Sequence, residues 1–128
     1  MEILMTSIYV SEPFKAFRFY TEILGFQKHT LIEEMELAIV KSQTQENGTT
    51  LLLEPNGNPI AKTYQQALYQ NNLPVIVFGT NNIEYEYDRL IKLGVAFKNP
   101  PQKSEWGIST IFDDTFGNWI QLHQEIGL

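Results

Sequence analysis

The chain has 128 residues, 43% of them hydrophobic and 19% charged, which suits a single globular domain with its own core. Its formal charge of −6 excludes general nucleic-acid binding, which needs clustered Lys and Arg, and would favour a cationic ligand if it reflects function rather than solubility. There is no cysteine, so disulfides, thiolate metal sites and cysteine nucleophiles are excluded, and a reducing cytoplasm is the expected location.

Met1–Ser7 lacks the basic start and long apolar run of a signal peptide, and no later run approaches the ~20 residues that span a bilayer, so no membrane association is expected. Met5 to Val10 predicts a strand. Glu12-Pro13 then opens a helix, Pro suiting the first turn and Glu the positive end of the dipole. Phe14, Phe17, Phe19-Tyr20 and Ile23-Leu24 give it an apolar stripe, and Gly25 ends it. Phe26 to Ile32 and Met35 to Lys41 predict two strands around a Glu33-Glu34 turn. After the polar loop Gln43 to Gly48, Thr49 to Glu54 predicts a fourth.

Pro55-Asn56-Gly57-Asn58-Pro59 is dense in turn residues, and a short helix around Tyr64 and Leu68 follows. Val75 to Phe78 predicts a strand. Ile83 to Leu93 predicts a helix with Ile83, Tyr87, Leu90 and Ile91 as its apolar face, ended by Gly94. Val95-Ala96-Phe97 predicts a strand stopped by Asn99-Pro100-Pro101. Gly107 to Phe112 and Trp119 to Gln124 are the last two, joined by a turn at Asp114 to Gly117.

The order is therefore strand–helix–three strands, twice. Met5 and Val75, Glu12 and Asn82, Gly25 and Gly94, and Leu52 and Gln121 fall at equivalent places with an offset of 69 or 70 residues. A constant offset favours duplication over a ferredoxin-like sandwich, and neither copy could bury its sheet face alone. The expected fold is α+β: two βαβββ modules forming a curved mixed sheet with an open cleft. The modules span about residues 3–56 and 73–126 of one domain, 1–128, with a connector at about 57–72.

In this arrangement the chain resembles the vicinal oxygen chelate superfamily of glyoxalase I, bleomycin-resistance proteins and extradiol dioxygenases. The matching pieces are Val10-Ser11-Glu12, Lys15-Ala16, Phe19-Tyr20 and Leu24-Gly25-Phe26, then Asn82-Ile83, Leu93-Gly94-Val95 and Pro100-Pro101. The most specific are Trp106-Gly107 and the run Phe112-Asp113-Asp114-Thr115-Phe116-Gly117-Asn118-Trp119-Ile120-Gln121-Leu122. The resemblance covers nearly the whole chain, though Glu12 and Asn82 stand where the family's first motif carries Asp.

The resemblance implies four cleft-facing strand positions, which in metal-dependent members carry His, Glu or Gln. Here they are Met5, Leu52, Val75 and Gln121. Three cannot bind a divalent ion, and Gln121 offers one weak amide oxygen, so no metal residue is assigned and no cofactor is expected. A cluster of Gln121, His123 and Glu54 near the cleft rim is the alternative, with His123 merely hydrogen-bonding at a strand end as the favoured reading. His29 is expected at the surface.

No other chemistry stands out. Asp113 and Asp114 point apart as strand neighbours, and Ser7, Ser11, Ser104 and Ser109 have no evident base. No catalytic residue is assigned. Tyr9, Trp106 and Trp119, with Met5, Val75 and Val77, would line an apolar cleft in which Gln121 and His123 orient a small organic ligand. Core or dimer-interface packing is the competing role for these side chains. Trp119→Ala would then weaken binding far more than Glu46→Ala in the polar loop.

The resemblance points to a homodimer of the bleomycin-resistance type, which sequesters a small organic molecule without metal catalysis. The alternatives are a divalent-metal-dependent lyase, isomerase or dioxygenase, and a regulatory module whose cleft is filled by its own side chains.

Overall fold

The computed structural model describes residues 1–45 and 47–126; Glu46, in the expected polar loop, lies outside the described residues. The chain divides into two compact units, Met1–Gln66 and Ala67–Leu128.

The first unit opens with β1 (Met5–Val10), where Met5, Thr6 and Ser7 are exposed and alternation sets in at Ile8, with Ile8 and Val10 buried and Tyr9 half-buried. The helix α1 (Pro13–Arg18) begins with Pro13 in its first turn and buries Pro13, Ala16 and Phe17. It is shorter than its apolar stripe suggests. Phe19–Ile23 widens into a π-type turn, where the Leu24 N–H reaches the Phe19 carbonyl at 3.0 Å. The Thr21 hydroxyl donates to the Phe17 carbonyl at 2.8 Å, competing with the ordinary helical ladder. The wider turn keeps Tyr20 fully buried before Gly25 leaves the helix at φ +92°.

Then follow β2 (Gln27–Ile32), a 3-10 turn at Glu33–Met35, β3 (Leu37–Lys41) and β4 (Thr50–Pro55). The expected strand from Met35 begins only at Leu37, because Glu36 takes a left-handed conformation (φ 49°) to close that turn. The sheet order is β1-β4-β3-β2, with β1 and β4 parallel and the other pairs antiparallel. α1 lies against β3 and β4, and Phe17, Tyr20, Ala38, Val40, Leu51 and Leu53 are among the buried core.

The connector holds a longer helix than expected, α2 (Pro59–Gln70), and the division between units falls inside it. Asn58 starts it by accepting the Ile60 N–H on its side-chain oxygen at 2.8 Å.

The second unit repeats the plan: β5 (Ile76–Gly79), α3 (Ile83–Lys92), β6 (Gln102–Ser104), β7 (Gly107–Asp113) and β8 (Trp119–Gln124). Its sheet order is β5-β8-β7-β6, again with only the β5–β8 pair parallel. Both units are thus mixed four-stranded sheets with helices, an α+β fold. The helix starts match closely: Glu12 has φ −142° and ψ 90°, and Asn82 has φ −148° and ψ 83°. The glycines that leave the helices match too, at φ +92° for Gly25 and +89° for Gly94. Ile83 and Leu90 of α3 are buried, as are Phe112, Ile120 and Leu122 of the sheet.

One expected strand is corrected. Val95-Ala96-Phe97 forms only an isolated bridge, Phe97 to Phe112, while the edge strand is Gln102–Ser104. The Asp113 N–H bonds the Ala96 carbonyl at 2.9 Å and the Lys98 N–H bonds the Ile111 carbonyl at 2.8 Å, so pairing with β7 does begin. Pro100 and Pro101 lack N–H donors and break the ladder, which resumes at Gln102. The Thr110 hydroxyl fills the gap by donating to the Asn99 carbonyl at 2.6 Å.

Candidate functional site

In each sheet one face carries the buried core, and the side chains of the other are half-buried or exposed. In the second unit the open face follows from alternation along β8. Ile120 and Leu122 point into the core, so Trp119, Gln121 and His123 point the other way. On β7, Ser109, Ile111 and Asp113 share that face, register placing Ser109 beside His123, Ile111 beside Gln121 and Asp113 beside Trp119. On β5, Val77 lies beside Gln121 and Gly79 beside His123. Val77 is exposed, and a Cβ on Gly79 would meet nothing within 4 Å, so the surface around Gln121 and His123 is open.

Three of these side chains form a hydrogen-bonded chain. His123 Nε2 lies 3.1 Å from the Trp106 carbonyl, and His123 Nδ1 lies 2.6 Å from Ser109 Oγ. A carbonyl only accepts, so Nε2 carries the ring hydrogen. In the neutral imidazole Nδ1 is then the acceptor of the Ser109 hydroxyl. Ser109 Oγ accepts in turn from Gln121 Nε2 at 3.3 Å. The direction is fixed throughout: Gln121 donates to Ser109, Ser109 to His123, and His123 to the Trp106 carbonyl. The Gln121 carboxamide oxygen is left as the acceptor on the open face.

Gly107 makes the arrangement possible. It has φ +141°, and a Cβ there would lie 2.3 Å from the Gln124 carbonyl oxygen and 2.8 Å from two atoms of the His123 ring. The ring therefore packs against a backbone position that only glycine leaves free. Ser109 corrects a sequence expectation: it does have a base beside it, His123. Their pairing across β7 and β8 follows from the turn that sets the hairpin register, a long-range relation invisible in local sequence.

Two positions along β8, Trp119 is held by its own chain. Tyr69 of α2 stacks on it with ring centroids 4.9 Å apart and planes at 8°, and the Lys98 ammonium lies 4.1 Å from its ring centre. The indole N–H donates to the Tyr69 carbonyl at 3.0 Å. The Tyr69 hydroxyl donates to Asp113 Oδ2 at 2.6 Å. That bond, then burial, then the negative charges of Asp113 and Asp114, push the Tyr69 phenol up to about 12 from its ordinary 10.0. Sequence reading missed both Tyr69 and Lys98, which reach Trp119 from segments that carry no motif. Asp114 faces the other way and is fully buried, accepting from the Phe116 and Asn118 N–H groups and the Asn118 amide. It shapes the turn expected at Asp114 to Gly117.

The remaining expected positions divide between the units. Val75 precedes β5 and its N–H donates to the Trp119 carbonyl at 3.0 Å. The Trp106 side chain is 78% exposed, so only its carbonyl serves His123. In the first unit Met5, Ser7 and Tyr9 of β1 share the open face with Leu52 and Glu54 of β4, Ser7 beside Leu52 and Tyr9 beside Glu54. His29 is exposed, its Nδ1 2.8 Å from Thr30 Oγ1.

This donor set does not fit a divalent ion. Met5, Leu52 and Val75 bring no nitrogen or hard oxygen ligand, and Gln121 offers only one neutral amide oxygen. Both ring nitrogens of His123 are engaged. Among the described residues no group of three or more His, Cys, Asp or Glu is placed to hold a metal. Among them, too, no helix is long and apolar enough to cross a membrane.

Comparison with known proteins gives the same fold. The family model of the Glyoxalase/Bleomycin resistance protein/Dioxygenase superfamily matches residues 2–122. The uncharacterized protein YurT of Bacillus subtilis (strain 168) is 41% identical over 127 residues, covering 98% of this chain and 100% of YurT. The crystal structure of UcmS2 superposes with a TM-score of 0.80 at 27% identity, covering 96% of this chain and 97% of UcmS2. TnmS3, an antibiotic binding protein from Streptomyces sp. CB03234, superposes at 0.75 with 24% identity, covering 98% of this chain and 97% of TnmS3, and so supports the fold alone. With the family model matched over nearly its whole length and both units built to one plan, this chain belongs to the glyoxalase/bleomycin resistance protein/dioxygenase superfamily.

Proposed function

We propose that this protein binds a small organic molecule against the open face of its second sheet, without metal catalysis. The observation that carries the reading is the Gln121–Ser109–His123 chain, set between the apolar side chains of Val77 and Ile111. Few polar groups with fixed direction on an apolar surface is the usual composition of a small-molecule site. The Gln121 carboxamide oxygen would accept from an N–H or O–H of the ligand, and the net charge of −6 favours a cationic one. TnmS3, an antibiotic binding protein of the same fold, offers a precedent for the class of ligand.

The same reading makes the protein a cytoplasmic homodimer. Absence of cysteine suits the location. Exposed Ile3, Leu4 and Met5 suit burial against a second copy. Sedimentation equilibrium is expected to give twice the chain mass of 14.8 kDa.

The binding test is a ligand-observed NMR screen of small aromatic amines and amides. Hits are expected, and Gln121→Ala is expected to weaken them at least about tenfold, as loss of one hydrogen bond to a charged or buried group does. Hits indifferent to Gln121→Ala would contradict this placement, and no hits would contradict the function.

A further inference from the structure

The pairing of Ser109 with His123 has the parts of a nucleophile and its base. Ser109 Oγ lies 2.6 Å from His123 Nδ1, within reach for proton transfer. The base is itself oriented, because the Trp106 carbonyl at 3.1 Å holds the hydrogen on Nε2 and leaves the Nδ1 lone pair towards serine. That carbonyl would also steady the imidazolium formed when Nδ1 takes a proton, the part a third group plays in nucleophile–base–orienter arrangements. Gly107 fixes the ring through its close approach.

The rest of the open face suits an electrophile. Gln121 Nε2 donates to Oγ at 3.3 Å and so holds the hydroxyl oriented, with its proton towards His123. Gly79 leaves the space beside His123 without a side chain, and Val77 and Ile111 offer apolar contact to an acyl group. Both Ser109 and His123 are half-buried, so reagents reach them from solvent.

We propose that Ser109 is an activated nucleophile with His123 as its base, able to take an acyl group from a carboxylic ester. In the first step a bond forms between Oγ and the carbonyl carbon while the hydroxyl proton passes to His123 Nδ1. The carbon–oxygen bond to the leaving alcohol breaks, and that alcohol leaves with the proton. In the second step water attacks the acyl-serine, its proton passing to Nδ1 and on to Oγ, and a carboxylic acid is released. The activity needs no metal and stands independently of the ligand-binding reading, though both use one face.

The test is reaction of the full chain with p-nitrophenyl acetate, followed by peptide mapping. Acetylation is expected on Ser109 and not on Ser7, Ser11, Ser42 or Ser104 of the same protein. Ser109→Ala should abolish the fast release of p-nitrophenolate, and His123→Gln should slow it roughly a hundredfold, the usual scale of a general base. The comparison among serines of the unmutated protein keeps the test valid if a variant folds poorly. Acetyl groups only on lysines or on His123, or equal labelling of all serines, would overturn the proposal.

Discussion

At the scale of single residues, the site depends on Gly107. A methyl group there would strike the Gln124 carbonyl at 2.3 Å and the His123 ring at 2.8 Å, in a backbone conformation that L side chains avoid. Gly107→Ala should therefore cost about 1–3 kcal/mol, read by urea denaturation, and should displace the His123 ring signals in NMR spectra. Gly79→Ala, where a Cβ meets open space, should change stability by less than about 1 kcal/mol. Similar effects of the two changes would show that the His123 ring does not pack against Gly107. Tyr69 offers a second residue-level test. Its phenol is raised to about 12 from 10.0, first by its bond to Asp113, so the folded state prefers the protonated form. The stability this contributes is complete below the unfolded value of 10 and is lost as pH rises through 12. Asp113→Asn should bring the Tyr69 titration, followed by ultraviolet absorbance, back towards its ordinary range. No movement would mean that Asp113 is not its partner.

Between elements, two equivalent helix starts differ in chemistry although their backbones agree. Asn82 accepts the Tyr85 N–H on its side chain at 3.2 Å, whereas Glu12 makes no side-chain cap and instead pairs with Lys15 at the surface. Asn82→Ala should cost about 1 kcal/mol by chemical denaturation, and Glu12→Ala clearly less, since exposed ion pairs contribute little. Much of this level was legible in the sequence. β1 and β8 have the bounds that alternation predicts, because each has one buried and one open face. The edge of the second sheet was not. Val95 to Phe97 has the apolar composition of a strand, but Pro100-Pro101 moves the continuous ladder to polar Gln102–Ser104. α2 was underestimated because its capping residue, Asn58, sits among turn residues that read as a loop.

For the whole molecule, duplication was readable from the 69- and 70-residue offsets, and the matching backbone at Glu12/Asn82 and Gly25/Gly94 gives it a structural basis. The candidate site was only half readable. Gln121 and His123 stand out by alternation on one strand, but Ser109 depends on strand register and Tyr69 and Lys98 on tertiary packing. Trp119, expected to meet a ligand, also stacks on Tyr69 and carries the Lys98 ammonium over its ring, so Trp119→Ala should destabilise the second unit by about 3 kcal/mol besides any effect on binding. Gln121 is therefore the better probe of binding. The central claim is a ligand held by polar side chains with no metal between. It is tested most directly by calorimetric titration of a screened ligand into protein dialysed against EDTA, repeated after adding nickel, zinc or manganese. Equal affinity under all conditions is the predicted result. Binding that disappears in EDTA and returns with one of the ions would contradict it.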